Sequence, residues 1–271
     1  MVVLAQRLGK SPILSSQPRD DVNAVPSDLQ RKYDLWNKGM GVLEPSADPL
    51  RFAWHRAAFG DVQHHARGDV LEIGCGRGEF ALWLAGEMPD VSVTAIDFSY
   101  DAITIAKALA AERRANVRLQ LDDAQALSFA SKSFDYVVSC ECLEHVPEPA
   151  RMAGEICRVL KPGGRFCVTT ENYLNGMLTA WGYSWVTGQP FNSGSGVQPH
   201  ENFFFFWHVL GYLRSAGLIV DRTESCHYQW LLLPRIDPAK LCTEQFSSRW
   251  ARRLAKPFGR HFSFFGRKPD V

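Results

Sequence analysis

From Asp69 to about residue 170, short continuous apolar runs alternate with longer stretches in which apolar residues recur every three or four positions. A short unbroken apolar run predicts a strand buried on both faces, and the longer period predicts an amphipathic helix. The pattern places strands at 69–73, 92–96, 117–121, 134–139 and 165–170, and helices at 78–86, 100–113 and 148–160. This strand–helix rhythm implies a parallel sheet covered on both sides. "LKPGG" (Leu160 to Gly164) reads as a helix stop and a turn into the fifth strand. A further helix follows over about 203–216, closed by Gly217, and then strands at 218–226 and 228–233.

The flanks read differently. Residues 1–25 hold Pro12, Pro18 and many polar residues, and suggest a mobile arm. Residues 27–66 look helical and would pack over the mouth of the following domain. The chain thus divides into an arm and helical cap (1–66), a central α/β domain (67–235) and a tail (236–271). Residues 171–202 interrupt the rhythm with Gly, Ser, Asn and aromatic residues. A loop this long is usually functional or disordered, and it is read here as a lid.

Composition narrows the class. With 271 residues, 46% hydrophobic and 22% charged, the chain can bury the core of one large domain. A net charge of +1 predicts no general attraction to polyanions. No apolar run approaches the roughly 20 residues that span a bilayer, and the N-terminus lacks the pattern of a secretory signal. The seven cysteines include no CxxC pair, which reads as buried reduced thiols in a cytoplasmic protein. The charge is uneven, however. Between Arg249 and Val271 seven basic residues face one acid, Asp270, with Trp250, Phe258, Phe262, Phe264 and Phe265 interleaved. Such a tail could lie on an anionic membrane surface. It could equally be a solvated helix with some rings packed on the body, since Pro257 and Gly259 interrupt any long amphipathic helix.

"VLEIGCGRGEF" carries the first chemical signal. A strand, a glycine turn and a helix form a nucleotide-binding crossover, with free helix N–H groups aimed at the ligand. The spacing is G-x-G-x-G at Gly74, Gly76 and Gly78, not the dinucleotide G-x-G-x-x-G. Glu72 in the preceding strand disfavours a pyrophosphate and suits a cationic end. Asp97, ending the second strand in "TAIDFS", can accept ribose hydroxyls. Asp123, in "LDDAQALSF", can accept from an adenine amino group, with Ala124 against the ring. A nucleoside with an amino-acid end and no phosphate meets all of this, and S-adenosylmethionine (SAM) is such a molecule.

"VLEIGCGRG", "AIDFS", "DDAQALSF", "FDYVVSCECLEHV" and "LKPGGRF" occur in the order seen in class I SAM-dependent methyltransferases, and over about 69–170 the chain resembles that family. The resemblance implies a Rossmann-like, seven-stranded, mostly parallel α/β sheet with one antiparallel strand near an edge. It implies Glu72, Gly74, Cys75, Gly76 and Gly78 around the methionine part, and Asp97 with Phe98 at the ribose. Asp123 and Ala124 would meet the adenine, and Cys140 would pass its backbone near the methionine end.

Methyl transfer from a sulfonium needs an aligned nucleophile and often a base. "CECLEHV" offers His145, with Glu144 beside it, as the catalytic candidates; both could instead merely shape the loop. The spacing E-x-x-E-H at Glu141, Glu144 and His145, with His200 at the end of the insertion, could also hold a divalent cation such as Mg²⁺. This pattern is similar to two metal-using branches, the quinone-biosynthesis O-methyltransferases and the small-RNA 2′-O-methyltransferases. The former also share the "DPLR" stretch at Asp48–Arg51. The insertion matches neither. Its Trp181 and Trp185, with Tyr173 and His200, are the candidate acceptor-binding residues. The expected acceptor is a small phenol, catechol or quinone precursor methylated on oxygen in natural-product biosynthesis. The alternatives are amine N-methylation, RNA 2′-O-methylation and a non-catalytic SAM-fold subunit. Balanced charge outside the tail counts against nucleic acid.

Overall fold

The computed structural model describes residues 27–39, 48–174, 184–185, 188, 198–229, 242–243 and 248–270. Strands β1 (Gly68–Ile73), β2 (Val91–Asp97), β3 (Val117–Leu121), β4 (Phe134–Cys140) and β5 (Leu160–Glu171) alternate with helices α3 (Glu79–Glu87), α4 (Tyr100–Arg113) and α5 (Pro149–Val159). Helices α1 (Asp28–Gly39) and α2 (Ala53–His65) precede them, and α6 (Phe206–Ser215), β6 (Ile219–Cys226), α7 (Arg249–Ala255) and β9 (His261–Arg267) follow. The main sheet has seven strands in the order β3-β2-β1-β4-β5-β9-β6. All neighbours are parallel except β9, which runs antiparallel to both β5 and β6.

The seventh strand does not come from residues 228–233. Tyr228–Gln229 (β7) pair instead with Cys242–Thr243 (β8) in a separate two-stranded ribbon, and residues 230–233 lie outside the described part. The strand comes from the segment read as a basic tail. Alternation along β9 explains why. Phe262 and Phe264 enter the core cluster on the α5–α6 face, and Phe265 enters the cluster on the opposite face. At Gly266 a Cβ would collide with the Ile219 carbonyl and the Phe166 ring, so only glycine lets the strand pass there. Residues 261–267 are therefore core, and the tail is not a single surface element.

α2 is anchored to the sheet by a buried carboxylate. Asp61 accepts from the Tyr136 hydroxyl at 2.6 Å and from Arg222 at 2.8 Å, which joins α2, β4 and β6. α1 lies over the C-terminal ends of β1 and β2. The Gln30 amide donates to the Phe98 carbonyl (3.1 Å), the Ser99 hydroxyl donates to Asp34 (2.7 Å), and Arg77 donates to the Asn37 carbonyl (2.6 Å).

Candidate active site

The three glycines of the first turn do three different things. The Gly74 and Cys75 N–H groups both donate to the Ile96 carbonyl at 2.9 Å, which ties the turn to β2. Gly74 has φ 78°, and a Cβ there would collide with the Cys142 side chain. At Gly76 a Cβ would meet nothing within 4 Å, because that face opens on a cavity. Gly78 starts α3 at φ 83°, where a Cβ would press on Ala106 of α4 at 3.1 Å. Asp97, at the end of β2, locks the turn by accepting from the Gly76 N–H at 2.8 Å and the Ser99 N–H at 2.9 Å.

The cavity beyond Gly76 has a volume of about 210 Å³. Gly74, Gly76, Asp97, Phe98, Asp123 and Ala124 line it. Glu72 is buried beneath the turn, and its Oε2 finds no partner. Burial and the neighbouring Asp97 push its carboxyl up to about 8. Cys75 and Cys140 do not line the cavity; they pack into the core on the α3–α4 face. The wall carries four carboxyl residues (Asp97, Asp122, Asp123 and Glu141) and, among the described residues, no Lys or Arg. A phosphate would find no counter-charge there, whereas a sulfonium with an ammonium group meets an acidic wall and an orphaned acceptor. The residues present therefore fit SAM. Leu29, Tyr33, Trp36 and Asn37 of α1 close the cavity from above. Sequence reasoning did not single them out, although Leu29, Tyr33 and Trp36 stand at i, i+4 and i+7, one face of a helix. Also unforeseen were Cys142, Gln125 and Gln198 in the wall.

At the other end of the cavity stands His145. Its Nδ1 lies 2.9 Å from the His200 carbonyl, so in the neutral ring Nδ1 carries the proton and Nε2 the lone pair. Tyr33 donates its hydroxyl to the same carbonyl at 3.2 Å. Glu144 is buried; its Oε2 accepts from the Thr170 hydroxyl at 2.8 Å, and its Oε1 lies 3.8 Å from His145 Nε2. Burial and the nearby Glu141 push Glu144 up to about 8. Glu141 turns elsewhere. It accepts from the Thr169 hydroxyl at 2.7 Å and meets His261 Nδ1 at 2.8 Å. Burial raises Glu141 to about 8 and lowers His261 to about 4.

The E-x-x-E-H residues and His200 are thus not gathered around one point. Glu144 is held by Thr170, Glu141 faces β9, and His200 presents its carbonyl to His145 while its Nε2 is buried without a partner. The set expected to hold Mg²⁺ does not fit an ion in this arrangement. Among the acceptor candidates, the Tyr173 ring packs on Phe203 at 4.5 Å, and Trp185 is 80% exposed. Neither belongs to the cavity wall. Trp181 lies outside the described residues.

A seven-stranded sheet of this order, a glycine turn at its switch point and an acidic, phosphate-excluding cavity define the class I SAM-dependent methyltransferases. The family model of the methyltransferase domain matches residues 70–164. A ubiquinone biosynthesis O-methyltransferase of Coxiella burnetii (strain RSA 331 / Henzerling II) is 36% identical over 207 residues, 74% of this chain and 83% of that protein. The counterpart from strain Dugway 5J108-111 is 30% identical with the same coverage. A demethylmenaquinone methyltransferase of Shouchella clausii is 29% identical over 55% of this chain and 63% of its own length. Among solved structures, the [4+2]-cyclase SpnF shares the fold at TM-score 0.56 and 22% identity, covering 80% of this chain and 82% of that one. A SAM-dependent methyltransferase of Thermotoga maritima does so at TM-score 0.54 and 21% identity, covering 80% and 90%. The chain belongs to the SAM-dependent methyltransferases of the quinone-biosynthesis type, and SAM is its methyl donor.

Proposed function

We propose that the enzyme methylates a ring hydroxyl oxygen of a phenol-, catechol- or quinol-like acceptor, of the kind found in quinone precursors. The observation that carries this reading is His145. Its Nδ1 is pinned by the His200 carbonyl, and its Nε2 is held at the cavity wall beside Glu144. A phenolic hydroxyl must lose its proton as it attacks, and an imidazole with a free Nε2 can take it. SAM supplies the methyl group on a sulfonium and leaves as a neutral thioether. The acidic wall holds that cation in place, and Glu72 offers an acceptor to its ammonium group. α1 covers the cavity and excludes water from the reacting end. Glu144 Oε1 lies 3.8 Å from His145 Nε2 and flanks the nitrogen that takes the proton. The name of the Coxiella relatives supports oxygen as the atom methylated.

An apolar quinone precursor would be met at a membrane surface, and α7 with the turn at Lys256–Phe258 supports such contact. Trp250, Leu254 and Phe258 are 73%, 59% and 51% exposed, with Arg249, Arg252, Arg253 and Lys256 interleaved. No helix among the described residues is long and apolar enough to cross a membrane. The test is turnover with SAM on a panel of catechols, hydroquinones and amines, with products located by mass spectrometry. Ring O-methyl ethers are expected; methylation of amines alone would overturn the reading.

A further inference from the structure

Glu141 stands directly after β4 at φ 51°, and its N–H donates to the Thr169 carbonyl at 3.1 Å. This turn sends its carboxylate toward β5 and β9 instead of toward His145. Glu171 and His261 are directly opposed residues in the antiparallel β5–β9 ladder, so they reach the same rim of the sheet. Three strands distant in sequence thereby deliver two carboxylates and an imidazole to one place. The His261 ring is buried, and Trp54 of α2 stacks on it at 4.2 Å with the planes 28° apart. The Thr169 hydroxyl holds the second oxygen of Glu141.

We propose that Glu141, Glu171 and His261 form a site for one divalent transition-metal ion, Zn²⁺ or Mn²⁺, at the edge of the cavity. One ligand atom from each residue lies within 4.8 Å of the others. Bonds of about 2.0–2.2 Å to a shared tetrahedral ion bring ligand atoms to about 3.3–3.6 Å of one another, so side-chain rotations must draw the three together to close the site. One nitrogen and two carboxylates suit Zn²⁺ or Mn²⁺ better than Ca²⁺ or Mg²⁺, which favour all-oxygen shells. Trp54 and Thr169 orient the ligands, as the supports of a metal site commonly do. Arg260 meets Glu171 at 3.4 Å, a partly exposed pair of small worth that an ion displaces at little cost. Three protein ligands leave coordination positions open, as in catalytic sites. Glu141 also belongs to the cavity wall, so the ion sits beside the acceptor. This site goes beyond the proposed function and needs no particular acceptor.

The experiment is calorimetric titration of the chelator-treated full chain with Zn²⁺ and with Mn²⁺, with SAM affinity measured in parallel. One ion per chain is expected. Glu171→Gln and His261→Asn should each weaken ion binding by at least about tenfold with SAM affinity unchanged, and Glu144→Gln should leave ion binding as it is. His261 is buried, so Glu171→Gln at the strand end is the variant that stands if His261→Asn fails to fold. No stoichiometric ion would overturn the site. So would undiminished binding in Glu171→Gln, or loss of the ion in Glu144→Gln, which would return it to the E-x-x-E-H set. A chain that binds no ion yet methylates ring hydroxyls would overturn this site and leave the proposed function standing.

Discussion

The two ends of the cavity are built by different means. The SAM end is made by consecutive segments: the β1–α3 turn, the end of β2 and the turn after β3. Its order rests on main-chain groups, with Gly74 and Cys75 bonded to the Ile96 carbonyl and Asp97 accepting from Gly76 and Ser99. The acceptor end is made by side chains from distant segments. His145 is positioned by the His200 carbonyl, Glu144 by Thr170 and Glu141 by His261, the last pair 120 residues apart. A backbone cradle needs particular residues at fixed spacing. A side-chain cluster needs only that folding bring the residues together.

If the two ends are separable, His145→Ala should lower turnover by about 10²–10⁴-fold, the usual share of a general base. Calorimetry should find SAM affinity unchanged. A matching loss of SAM affinity would show that the imidazole serves both ends. The acceptor end should also depend on β9 as core. Phe264→Ala removes a fully buried ring and should cost about 3–5 kcal/mol in denaturant unfolding. A loss below 1 kcal/mol would mean that the last strand is dispensable.

The SAM end is probed by Asp97→Ala, which leaves the Gly76 and Ser99 N–H groups without their acceptor. SAM should bind about 1–3 kcal/mol more weakly, and unchanged affinity would detach Asp97 from the ligand. A separate effect concerns pH. In the metal-stripped, SAM-free chain Glu72, Glu141 and Glu144 are all raised from 4.5 to about 8. The folded chain therefore keeps protons that the unfolded chain has released, and stability falls as pH rises through this window. His55 and His261, lowered from 6.5 to about 4, act in the opposite sense only up to about pH 6.5. Between pH 6.5 and 8 these two imidazoles no longer oppose, and each of the three carboxyls contributes up to about 1.4 kcal/mol per pH unit. Melting temperature should fall across that interval, and Glu72→Gln should flatten the slope. A flat wild-type profile would show that these carboxyls are not raised.

The first five strands and their helices were legible in the sequence, because each buried strand is a short apolar run and each crossover helix repeats its apolar positions. The glycine turn was legible for the same local reason: β1 and β2 are neighbours, and the turn ties to the end of β2 through the Ile96 carbonyl and Asp97. β9 was not legible as core. Arg260, Arg267 and Lys268 in and beside it dominate the local charge, and the apolar Phe262, Phe264 and Phe265 look like a surface stripe until β5 and β6 stand on either side. α1 was foreseen as a cap, but not as the roof that places Tyr33 and Trp36 in the cavity wall.

By itself, the sequence determined the doubly covered sheet, the turn at Gly74–Gly78 and the acidic residues at the strand ends beside it. Those features depend on spacing within single crossovers, where the chain cannot reach any other neighbour. Only the tertiary structure decided which way Glu141 faces and that His261 stands opposite Glu171. Register between strands distant in the chain is set by the packing of both sheet faces. No local spacing encodes it.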